Sequence, residues 1–242
     1  MEVLGVKTRV MRPPKDDLFA VFDEFVEDVC EGDVVVVSSK VMAIHQGRCV
    51  RADEADKDAL VEEESERMFS YYNSAFGRRF RLTLKEHTLV SAGGVDESNG
   101  DGFFILWPED SFAMCREIRE YLRKRFGVSH LAVVAADSHS LPLRYGAMGV
   151  SIGFWGMRPL KKYQGKKDLF GREFIIERAN LVDSLASAAT LVMGEGAECM
   201  PVAIVRDAEG IVFADEDMRE ELLIPIEEDM YWPMLRVLKK SR

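Results

Sequence analysis

The chain has little that would staple or anchor it. Its 242 residues hold four cysteines, Cys30, Cys49, Cys115 and Cys199, far apart and in no C-x-x-C pair. That argues against a zinc site or a disulfide framework. Cys30 and Cys115 fall in helix-like stretches, where a buried thiol is expected. The longest apolar runs, Val34–Val37 and Leu131–Ala136, are far short of the ~20 residues that cross a bilayer, so no membrane partner is expected. The opening stretch MEVLGVKTRVMRPPKDD mixes charges throughout, unlike a signal peptide, and the expected location is the cytoplasm. Basic blocks are missing too. With a net charge of −10, a nucleic-acid partner is disfavoured and an anionic substrate would need a local basic pocket. There is no P-loop and no G-x-S-x-G elbow. His45, His87 and His130 lack an i, i+4 histidine partner, which disfavours a zinc site built from them.

What is present is enough for a core: 47% of residues are apolar and 31% charged, as in ordinary soluble domains. Phe19, Phe22 and Phe25 mark a helical stripe over Asp16–Val29, with Asp16 or Asp17 as cap. VVVVSSKVMAI, Val34–Ile44, reads as a strand buried on both faces. The acidic stretch 51–72 reads as a solvated helix, and the alternation over 78–95 as antiparallel strands. Asp110–Phe126 is the clearest helix, with Met114, Ile118, Tyr121 and Leu122 inward. Strands are expected at Leu131–Ala136, Glu173–Glu177 and PVAIVR, and an alanine-rich helix at Leu181–Met193. The C-terminal segment, Asp215–Arg242, is expected to pack across a partner or a neighbouring lobe. No repeat or linker divides the chain, so residues 1–242 read as one domain, with two closely merged lobes as the variant. The class is α/β or α+β.

Three polar clusters sit beside strands or helix ends. They are Ser38-Ser39-Lys40, the glycine-rich SAGGVDESNGDG (Ser91–Gly102), and DSHSLPLR, which carries Asp137, Ser138, His139 and Arg144. Carboxylates from separate loops can converge on Mg²⁺ or Mn²⁺, which prefer oxygen ligands. Glycines admit phosphates close to backbone N–H groups, and lysine or arginine neutralises their charge. The set suits a metal–nucleotide site. A lone DSHS after a strand is more often a turn, and AGGVDESNGDG more often a hairpin loop, when read from these features alone. His139 beside Ser138 admits a serine hydrolase, but without the nucleophile elbow that reading is weak.

Five blocks in order resemble the coenzyme F420-0:γ-glutamyl ligase family: GDVVVVSSKVMAIHQGR, AGGVDESN, WPEDSFAMCREIREYL, DSHSLPLRYGAMGVSIG, and the closing LKKYQGKKDLFGREF with DSLASAATLVMGEG…PVAIVR. The resemblance implies an α+β fold with mixed or antiparallel sheets and flanking helices, and a homodimer. It implies an enzyme that uses GTP or ATP, Mg²⁺ or Mn²⁺, and K⁺ to join L-glutamate to a cofactor carboxylate. By the same resemblance, Asp96, Asp137, Ser138 and Glu195 are metal-associated. Arg12, Pro13, Ser38, Ser39 and Asn99 contact nucleotide, and Asp96 and Asp137 are catalytic. Arg144 is the candidate clamp for a carboxylate or phosphate, because a guanidinium can bind either bidentately. The chain departs from the family pattern at Ile44 (a lysine there) and Gln46 (a glutamate). Leu141 and Leu143 replace an arginine and a tryptophan. Losing a cation and a flat aromatic suggests a changed acceptor, folate in place of F420. The alternatives are an F420-0 ligase proper and a nucleotide-binding paralogue without catalysis.

Overall fold

The computed structural model describes residues 1–73 and 79–240. Arg78, which opens the expected alternation, and Ser241–Arg242, which end the C-terminal segment, lie outside the described residues.

The core is one five-stranded sheet. Its strands are β1 (Glu2–Val6), β2 (Val34–Ser38), β3 (Ala132–His139), β4 (Met148–Trp155) and β5 (Val202–Arg206), arranged β1-β5-β2-β3-β4. Only β2 and β3 run parallel; the other neighbours are antiparallel. Four consecutive valines make β2 because both faces are covered. Val35 and Val37 pack beneath α1 (Leu18–Phe25), α2 (Ser39–Gln46) and α4 (Ser111–Phe126). Val34 and Val36 pack against α5 (Leu181–Met193). The α+β class with mixed and antiparallel sheets is what the chain adopts.

Helix limits follow their caps. Asp17 accepts from the Phe19 and Ala20 N–H groups and starts α1. Asp110 does the same for α4, which Gly127 ends at φ 71°, as the sequence predicts. Asn180 caps α5 through the Asp183 N–H. Four expectations are corrected. The strand over Val34–Ile44 stops at Ser38, and its second half is α2: Val41–Ile44 are buried by a helix, not by pleating. The acidic stretch is helical only over α3 (Lys57–Glu63), capped by Asp56. Residues Glu173–Glu177 form no strand; the strand lies at Arg178–Asn180. Cys30 is also exposed and outside any helix, whereas Cys115 is buried.

A smaller antiparallel sheet joins Lys239–Lys240, Arg67–Met68, Leu82–Lys85 and Thr88–Ser91 in that order. The last two form a hairpin over Glu86–His87, both at positive φ. The C-terminal segment does cross to a neighbouring element. It runs from the central sheet, where Asp215 meets buried Arg119 of α4 at 2.5 Å, to the edge of this small sheet.

Candidate active site

The parallel pairing of β2 with β3 sets Ser38 opposite Ala136, so both strands deliver their next residues to the same edge. Ligand sites in open sheets with parallel strands commonly form at such carboxyl ends. A cleft of about 900 Å³ opens here. Ser38, Asp96, Asn99, Asp137, Ser138 and Glu195 all line it. A bulge on β4 shifts the register between Ala135 and Ala136, which increases local twist just before Asp137.

Asp137 is the most constrained of these residues. Ser39, the first residue of α2, donates its hydroxyl to Oδ1 at 2.6 Å. The Trp107 indole N–H donates to Oδ2 at 2.8 Å. Desolvation raises the Asp137 pKa above the usual carboxylate range, the two donors oppose the rise, and the nearby Asp96 charge adds to it. Trp107 is itself buried, and Gly94 lies against its ring so closely that a Cβ there would sit 2.5 Å from Nε1. Behind it, Arg48 bonds the Trp107 carbonyl and pairs with Glu64, which also meets buried Lys85.

Asp96 is fixed differently. Lys40 Nζ lies 2.6 Å from its Oδ2, and Ser98 donates both its N–H and its hydroxyl to the carboxylate. Burial pushes its pKa up, but Lys40 and Ser98 outweigh that and hold it below the ordinary value. Ser138 donates to Glu195 at 2.5 Å, so these two, far apart in sequence, meet. Asn99, at φ 54°, donates to the Gly196 carbonyl at 2.9 Å and ties the glycine-rich loop to the one after α5. Ser138 donates to Glu195 and not to His139, the reverse of what a serine hydrolase needs.

Other expected residues stand apart. Ser39 is buried behind the cleft as the support of Asp137. Arg12 is exposed and reaches Asp101 at 3.4 Å, while its neighbours Arg9–Met11 line the cleft and Pro13 does not. Arg144 is not brought to the cleft. It lies exposed in the β3–β4 connection, where Leu143 turns at φ 60°, and among the described residues its guanidinium bonds just the Leu143 carbonyl. Leu141 and Leu143 point to solvent in the same connection, 43% and 95% exposed. Gln46 accepts from the Glu109 N–H and joins α2 to the start of α4. Ile44 is buried. Trp107 was not legible as a site residue, because nothing in the sequence ties it to Asp137.

Among the described residues, no group of three or more His, Cys, Asp or Glu side chains could hold a metal alone. The oxygen donors do fit Mg²⁺ or Mn²⁺ in the mode where one or two carboxylates bind it and phosphates and water complete the shell. The charge of Asp96 destabilises ionised Asp137, and a cation between the two would relieve that repulsion.

Separate parts of the chain thus bring carboxylates, hydroxyls and a lysine to one sheet edge. A family model described as F420-0:Gamma-glutamyl ligase matches residues 5–207. The chain is 34% identical over 240 residues to the coenzyme F420:L-glutamate ligase of Halorubrum lacusprofundi, covering 91% of this chain and 92% of that one. It is 30% identical over 253 residues to the protein of the same name from Methanosarcina barkeri (99% and 98%). With the one from Methanopyrus kandleri it shares 35% over 207 residues (80% and 81%). The chain belongs to the F420-0:γ-glutamyl ligase family, a family of enzymes that form carbon–nitrogen bonds.

Proposed function

We propose that this enzyme uses a nucleoside triphosphate and a divalent cation to attach L-glutamate to the carboxylate of an F420-0-type acceptor, through an acyl phosphate. The observation that carries the reading is the cleft where Asp96, Asp137, Ser138 and Glu195 meet at the ends of β2 and β3. The acceptor carboxylate attacks the γ-phosphate and the nucleoside diphosphate leaves. The glutamate amine then attacks the acyl carbon, an amide forms, and phosphate departs with the bonding electrons. Asp96 and Asp137 would hold the cation, with Ser138 and Glu195 beside it. The cation would offset charge on the phosphates. Lys40 holds the Asp96 carboxylate in place, and Ser39 and Trp107 orient that of Asp137. Asn99 and the Gly194–Gly196 loop offer polar groups to the nucleotide.

The F420-type acceptor is favoured over folate. Relatives that match most of the chain carry the F420 name, and Leu141 and Leu143 face solvent. Their replacement therefore leaves the cleft wall intact and gives no ground for a changed acceptor. The test is mass spectrometry of a mixture with Mg²⁺ or Mn²⁺, K⁺, L-glutamate, GTP, ATP, F420-0 and a folate panel. A glutamyl unit added to F420-0 is expected. Addition to a folate alone would reassign the acceptor, and no addition to anything while nucleotide binds would leave a non-catalytic paralogue.

A further inference from the structure

One wall of the cleft carries cationic and aromatic groups that the ligase chemistry above does not use. The Tyr71 ring is clamped between two guanidiniums, with Arg79 Cζ 3.7 Å and Arg81 Cζ 3.9 Å from its centroid. Most cations of the cleft already have acidic partners: Arg9 with Asp16, Lys40 with Asp96, Lys57 with Glu97, and Arg79 with Asp58. Arg81 has none among the described residues, and its buried Nε has no acceptor. A guanidinium lying on an aromatic face keeps its N–H edge free for a bidentate anion. Beside it stands Phe80, 37% exposed in the cleft and stacked on Tyr72 at 5.9 Å.

We propose that Arg81 and Phe80 form the acceptor subsite. Arg81 pairs with a carboxylate or phosphate of the acceptor remote from the reacting carboxylate, and Phe80 stacks on a flat ring. The inference rests on the ligase reading above. Free glutamate has no ring for Phe80 to meet. The nucleotide is assigned to the Ser38 and Asn99 side of the cleft, which the central sheet and the glycine-rich loop build. The β3–β4 connection turns to solvent, so a cation and an aromatic for the acceptor come from this separate wall instead.

Equilibrium dialysis of F420-0 against wild type, Arg81→Gln, Arg81→Lys and Phe80→Ala, with GTP and L-glutamate measured in parallel, tests this. Arg81→Gln should weaken F420-0 binding about tenfold or more, with the lysine variant between it and wild type. Phe80→Ala, at a partly exposed ring, should weaken it about fivefold or more. Affinities for GTP and glutamate should not change. Unchanged F420-0 binding in Arg81→Gln and Phe80→Ala would overturn the proposal, as would a loss that falls on GTP or glutamate, or a wild type that does not bind F420-0. Wild-type binding of F420-0 without turnover would overturn the ligase reading and leave the subsite standing.

Discussion

Asp137 accepts two hydrogen bonds, from Ser39 and from Trp107, and still has its pKa raised. The enclosure therefore costs stability whenever the group is ionised. For a carboxylate whose folded pKa lies above its unfolded one, the folded state binds the proton more tightly. Stability is then fullest below the unfolded value and falls as pH rises through the folded one. Asparagine has no charge to desolvate. Its oxygen can take the indole N–H, while its amide donates to the Ser39 hydroxyl, which accepts as readily as it donates. Asp137→Asn should therefore melt at or above the wild-type temperature at neutral pH, with the gap closing in acid. Turnover should fall at least about 100-fold, as when one preorganised charge-stabilising group is removed. Calorimetry and a product assay on the same preparation check both halves. Near-normal turnover would remove Asp137 from the site, and a large drop in melting temperature would show that its role is structural.

At the scale of elements, β4 shows how packing fixes the site. Gly149 pairs with Ser138 in the β3–β4 register. A Cβ there would lie 2.4 Å from Thr190 Oγ1 and 2.6 Å from the Ala186 carbonyl of α5. That approach lets Gly149 donate its N–H to Thr190 and accept from Ser187. Gly149→Ala must push α5 outward, against a backbone carbonyl that cannot yield. Overpacking of this kind costs about 1–3 kcal/mol, and each kcal/mol lowers the melting temperature by roughly 2–4 °C in a chain of this size. The same shift moves the loop after α5 that carries Glu195, so turnover should drop along with stability; a variant that loses neither would show that α5 accommodates the methyl. The element scale also shows what sequence could reveal. Caps and apolar spacing made α4 and α5 legible almost to the residue. The valine run made β2 legible, but not its end, because Val41–Ile44 are as apolar as a strand and only the tertiary wrap of α2 over the sheet decides their state. The segments that bring Ser38, Asp96, Asn99, Asp137, Ser138 and Glu195 to the cleft fall within the five ordered blocks by which the family was legible. Lys40 was visible as a cation without its partner. The Trp107–Asp137 and Ser138–Glu195 bonds were not visible as contacts, since each joins residues that only the completed fold brings together. Arg144 was a candidate clamp on the chemistry of its guanidinium, but the connection carries it out to solvent.

On the scale of the whole molecule, the last segment links the two sheets that border the cleft. Residues beyond 207 lie past the part that the family model matches, yet they are not peripheral to the architecture. Phe213 bridges to Met157, Asp215 meets Arg119, and Glu221 pairs with both Arg158 and Lys162, all alongside the central sheet. Buried Leu238 then precedes Lys239–Lys240, whose backbone pairs with Arg67–Met68 at the edge of the small sheet. That sheet holds Leu82, Leu89 and Val90, which line the cleft next to Arg81. Ending the chain after Arg236 removes the edge strand and the Leu238 anchor, a side chain worth about 1.5–3 kcal/mol of burial, and touches nothing in the central sheet. Loss confined to one sheet should appear as local opening. Amide exchange across 82–91 should speed up while β2, β3 and β5 keep their protection. The KM for the acceptor should rise several-fold, with that for the nucleotide changed less, because only the hairpin wall has loosened. Uniform exchange across both sheets would mean that the tail holds the whole fold. Unchanged exchange at 82–91 would mean that the small sheet needs no edge strand, and the cleft wall would then owe its order to α3 and the Trp107 contacts alone.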